Sequence, residues 1–91
     1  MEIKWTSKAL SDLSWLYDFL ALVNNQAAAK TVQSLTSCPD SLLETPRLGE
    51  RLETFGPRKV RKILIGQYEI RYEIQNSTIY ILRLWHTRED R

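Results

Sequence analysis

The chain has one cysteine, one histidine and three glycines, and no apolar run of the ~20 residues that a membrane helix needs. Each scarcity excludes something. A lone Cys38 cannot build a disulfide framework, which suits a reducing compartment. His86 and Cys38 lack any ligand spacing, so no zinc site is expected. Gly49, Gly56 and Gly66 are scattered, each explained by a turn, and form no phosphate loop. No basic segment followed by an apolar stretch opens the chain, so no signal peptide is read and the cytoplasm is the expected compartment. Cys38 reads as a small packed side chain rather than a nucleophile.

What is present is one small domain, residues 1–91. A chain of this length buries about 60–65% of its unfolded surface, enough for one modest core. Its 43% hydrophobic and 26% charged content is ordinary for a globular protein, so composition points to neither disorder nor a fibre. Charge is uneven. Up to Pro46 there are three Lys against five acids, a net of −2, whereas from Arg47 onward ten Lys/Arg face six acids, a net of +4. Such asymmetry fits an acidic or nucleic-acid partner on the later half, or a basic solvated surface.

The later half organises the rest. Val60 to Ile65 is a β-branched run, and Gly66-Gln67 suits a two-residue type II′ turn. Tyr68, Ile70, Tyr72 and Ile74 then alternate with polar residues, the period of a half-buried strand. Asn76-Ser77 is a second hairpin turn, and Thr78 to Trp85 is apolar at almost every position, as in an interior strand. Before these, Glu2 to Thr6 reads as a short strand. Thr6 or Ser7 caps a helix whose apolar face is Ala9, Leu10, Leu13, Leu16, Tyr17, Leu20 and Val23. Asn24-Asn25 breaks it, Asn tolerating the left-handed conformation of a helix end. Gln26 to Leu43 is a second helical stretch, on Ala28, Val32, Leu35 and Leu42, which Pro39 kinks or interrupts. The expected fold is α+β in the order β-α-α-β-β-β, a helical hairpin on a mainly antiparallel sheet.

No self-sufficient catalytic set is visible, and no metal or cofactor is implied. The chemistry-bearing residues are basic. Arg58, Lys59, Arg61 and Lys62 form one group, and Arg71, Arg83, His86, Arg88 and Arg91 a second. The first serves recognition or protects a sheet edge. His86 either caps the last strand or acts as general acid or base.

Several segments together carry a family resemblance: Ile3-Lys4-Trp5-Thr6, Ala9-Leu10-Ser11-Asp12-Leu13, Leu42 to Gly49, Val60-Arg61, Tyr68 to Ile74, and Ile79 to Arg88. In their order and spacing the chain resembles the ParE branch of the RelE/ParE superfamily of toxin–antitoxin toxins. The resemblance implies that the N-terminal strand joins the sheet beside the last one. It also implies a toxin that inhibits DNA gyrase and is neutralised by a cognate antitoxin, ParD-like or another DNA-binding protein, in a hetero-oligomer. RelE-type relatives instead cut mRNA on the ribosome, using basic residues on the sheet face. This chain carries Glu69 at the matching position, and no Tyr follows Trp85, so cleavage is disfavoured. If it cuts, His86 and Arg88 are the catalytic candidates. A binding-only member without toxicity is the third alternative. The expected target contacts are Arg83, His86, Arg88 and Arg91. The expected antitoxin contacts are Trp15, Phe19 and Leu22, of which Trp15 and Leu22 fall off the main helix face, with Arg58, Lys59, Arg61 and Lys62.

Overall fold

A computed structural model describes residues 1–88, the side chain of Cys38 excepted. The elements are β1 (Glu2–Trp5), α1 (Ser7–Ala21), α2 (Asn25–Ser37), β2 (Glu50–Arg51), β3 (Val60–Ile65), β4 (Tyr68–Gln75) and β5 (Thr78–His86). Short 3₁₀ segments cover Cys38–Leu43 and Glu53–Phe55. The strands form one sheet in the order β1-β5-β4-β3-β2, with β1 parallel to β5 and the remaining pairs antiparallel. The expected plan holds, with one addition. The two-residue edge strand β2 pairs with Arg61 and Lys62, and a stretch that short has no period to betray it.

Both hairpin turns behave as their residues suggest. Gly66 sits at φ 61 between the paired Ile65 and Tyr68. Asn76 takes φ 54, which a short polar side chain tolerates better than most. A register shift between Arg71 and Tyr72 puts a bulge in the β4–β5 ladder. β5 is interior, flanked by β1 and β4, although Tyr80 and Leu82 stay half-buried.

Thr6 caps α1: its hydroxyl accepts from the Ala9 N–H (3.2 Å) and donates to the Ile81 carbonyl (2.8 Å). The helix start is thereby anchored to β5 where β1 ends. Asn24 does not close α1 in a left-handed conformation. It caps α2 instead, its Oδ1 accepting from Ala27 N–H at 3.0 Å. Pro39 converts the end of the second helical stretch into a 3₁₀ segment.

The core lies between the helices and one sheet face. Ala9, Leu16, Leu35, Leu42, Ile70, Tyr72, Ile79, Ile81 and Leu84 form it, and Leu13 and Leu20 pack against it. Three expected members of the α1 face are outside: Leu10, Tyr17 and Val23 are exposed. Asp12, which the pattern puts on the polar side, is buried.

Candidate functional site

Alternation along a strand sends neighbours to opposite faces. With Ile70 and Tyr72 in the core, Glu69, Arg71 and Glu73 lie on the face away from the helices. There three arginines gather around two rings. Arg58 and Arg71 lie over Phe55, and Arg71 and Arg83 over Trp85, Arg71 at 4.7 Å from the indole centre. Together with Lys8 they border a cleft of about 350 Å³.

Each of these arginines has its own carboxylate. Arg58 donates through Nε (3.0 Å) and Nη2 (2.7 Å) to the two oxygens of buried Glu73. Arg71 donates through Nε to Glu69 at 3.0 Å. Arg83 donates to both oxygens of Asp12, at 2.7 and 3.1 Å, and the Leu84 N–H adds a third bond at 3.1 Å. These bonds shift the titrations. Hydrogen bonding to Glu73 raises the pKa of Arg58, and Arg58 in turn holds Glu73 below the usual carboxylate range. Arg83 is raised by its bond to Asp12. The rings and carboxylates hold the guanidinium forks in place. A phosphate arriving here meets guanidinium groups whose charge is already shared with a carboxylate.

His86, at the end of β5, has both ring nitrogens engaged. Nε2 lies 2.9 Å from Gln67 Oε1, and Nδ1 accepts from the Arg88 N–H at 3.0 Å. With Nδ1 accepting, Nε2 is the nitrogen placed to donate to Gln67. The imidazole therefore pins the Thr87–Arg88 turn against the β3–β4 hairpin. Arg88 is exposed beyond it. Arg91 lies outside the described residues, as does the Cys38 side chain.

A third arrangement surrounds the loop before β2. The buried Tyr72 hydroxyl donates to the Pro46 carbonyl (2.8 Å) and accepts from the Gly49 N–H (2.9 Å). Burial pushes the phenol pKa up. Arg61 Nη1 donates to the Gly49 carbonyl at 2.7 Å. A Cβ on Gly49 would lie 2.5 Å from the Lys62 carbonyl and 2.8 Å from the Tyr72 hydroxyl, so only glycine fits. Against this loop lies an open cleft of about 590 Å³, with Pro46, Leu48 and Ile74 among its walls and Arg47 and Lys59 at its rim.

The four basic residues from Arg58 to Lys62 are thus divided. Arg58 belongs to the sheet face, Arg61 braces the loop, Lys62 reaches Glu50 at 3.7 Å and Lys59 joins Arg47. On α1, Trp15 and Phe19 stack at 5.4 Å with rings 8° from parallel; they are 49% and 56% exposed, and Leu22 is 85% exposed. Asp12, Arg47 and Tyr72 are absent from the sequence-based site. Asp12 sits in a polar run of α1, and nothing local marks its reach to β5.

Among the described residues, no group of His, Cys, Asp and Glu could hold a metal, and no helix is long and apolar enough to cross a membrane.

A helical hairpin on this sheet, with β1 beside β5, is the architecture expected of the RelE/ParE superfamily. The family described as the ParE toxin of type II toxin–antitoxin systems, parDE, matches residues 3–91, and the chain belongs to it. Among curated proteins it is similar to toxin RelE2 of Caulobacter vibrioides, 32% identical over 85 residues, covering 93% of both chains. It is also similar to toxin RelE1 of that organism, 35% identical over 88 residues, covering 92% of this chain and 90% of the relative. Among solved structures, a chain of the chromosomal ParDE system from P. aeruginosa superposes with a TM-score of 0.77 at 27% identity, covering 94% and 95% of the two chains.

Proposed function

We propose that this toxin inhibits DNA gyrase without performing hydrolysis itself, and that a cognate antitoxin neutralises it by binding. The observation that carries the reading is the pairing on the sheet face. Cleaving RNA requires cations free to stabilise charge developing on the phosphate. Arg58, Arg71 and Arg83 are instead tied to Glu73, Glu69 and Asp12. His86, the one imidazole, spends both nitrogens on Gln67 and the Arg88 backbone. The surface suits docking better than catalysis. Exposed Arg88, with Arg91 in the sequence beyond it, is the proposed target contact. His86 supports that contact by holding the turn, and Arg83 by holding the strand.

The RelE names of the curated relatives favour a second reading, ribosome-dependent mRNA cleavage. One pair of assays on antitoxin-free protein separates the two. Lost gyrase supercoiling with accumulated broken DNA and intact mRNA is expected. The double variant R88E/R91E should keep its fold and lose the inhibition. Codon-phased mRNA cuts with normal supercoiling would overturn the reading.

A further inference from the structure

The arginines of the sheet face are each paired with a carboxylate, whereas a second set of cations is not. Arg58, Arg71 and Arg83 each hold a carboxylate at 3.0 Å or less. Arg47, Lys59 and Arg61 have no carboxylate partner among the described residues; Arg61 donates only to backbone carbonyls. These three cations converge on one place. The 590 Å³ cleft and a smaller polar one beside it share Arg47, Lys59 and Ile74, and Arg61 lines the second. Pro46, Leu48 and Ile74 supply apolar surface between the charges, and Leu48 is 57% exposed.

We infer that this groove is the docking site for an acidic segment of the antitoxin, one carrying an apolar side chain flanked by carboxylates. The inference rests on the toxin–antitoxin reading and adds the place and the chemistry. The apolar anchor covers Pro46, Leu48 and Ile74, while the carboxylates take Arg47 and Lys59. Charge complementarity selects an acidic occupant, because cations held together without counter-charge are stabilised by an incoming anion. The walls select a peptide over single-stranded nucleic acid. Bases bind such grooves by stacking on rings, and no aromatic side chain lines either cleft. The groove is preorganised. Tyr72 grips Pro46 and Gly49 from the core, and Arg61 grips Gly49 from the side, so binding spends little on ordering the loop that presents Arg47.

The test is the charge-reversal pair R47E/K59E, assayed against the cognate antitoxin by calorimetry at about 50 and about 300 mM NaCl. Both side chains are exposed and outside every described ion pair, so the variant should melt like the wild type. The expected result is at least a ~10-fold weaker complex that has lost most of its salt dependence. Unchanged affinity with an intact fold overturns the groove and leaves the toxin–antitoxin reading standing. A wild-type chain that binds no antitoxin overturns both. A poly-dT oligonucleotide that binds the wild type and is lost in the variant, with antitoxin affinity unchanged, overturns the peptide assignment in favour of nucleic acid.

Discussion

Asp12 on α1 holds Arg83 on β5 through two hydrogen bonds, the shorter 2.7 Å, across 71 positions of sequence. The same carboxylate accepts the Leu84 N–H, a backbone donor on the edge of β5 beyond the end of β1. One buried side chain thus finishes the sheet edge and orients an arginine on the opposite face.

Removing that carboxylate should be costly. Asp12→Ala strands the Leu84 N–H and leaves Arg83 without its partner, a loss of about 2–3 kcal/mol. Urea unfolding should show the midpoint falling with an unchanged slope. Asp12→Asn should fall between the two, since an amide keeps one acceptor but not the charge.

The loop before β2 gives a second expectation. Tyr72→Phe removes both hydroxyl bonds and should cost about 1–3 kcal/mol, because the buried Gly49 N–H loses its partner. Gly49→Ala should be destabilising to a similar degree, since its Cβ meets the Lys62 carbonyl, which is backbone. Both variants should also weaken antitoxin binding by releasing Arg47 from its position. Thermal melts and calorimetry together would check this.

Acid should act partly through Glu73. Its folded pKa lies below the usual carboxylate value, held there mainly by Arg58. The Arg58 pairing therefore adds stability above the unfolded carboxylate pKa, and that stability is lost as pH falls through the lower folded value. In melts taken from neutral pH downward, Glu73→Gln should start lower and show a flatter acid limb than the wild type. Parallel curves for the two proteins would contradict the assignment.

On α1, Trp15→Ala should leave stability nearly unchanged, the ring being half exposed, yet weaken the antitoxin complex by ~10-fold or more. Affinity equal to that of the wild type would remove the Trp15–Phe19 stack from the interface.

Much of this architecture was readable in the chain. The Tyr68–Gln75 alternation, the Gly66 turn and the break at Pro39 are local signals, and local signals reached the right elements. What escaped is long-range. Asp12 looks like a polar residue on a helix until β5 arrives beside it. Tyr72 reads as one more core aromatic, because its hydroxyl partners lie 26 and 23 residues away. Leu10 and Tyr17 obey the helical period yet stay exposed, because the sheet covers a narrower stripe of α1 than the period marks out. For the site, the sequence singled out Arg58, Arg71 and Arg83 as cations, but neither their carboxylate partners nor Arg47. The difference between a neutralised arginine and an open one exists only in three dimensions.

The parallel pairing of β1 with β5 bears on the order in which the fold comes together. Glu2 and Trp5 lie opposite Thr78 and Ile81, so β1 has no neighbour in the sheet until β5 is in place. The N-cap of α1 waits for that strand too, since Thr6 anchors to the Ile81 carbonyl. Contacts of such sequence separation form late and slowly. The join that closes the sheet, and with it the anchoring of the start of α1, is therefore among the last contacts this chain makes as it folds.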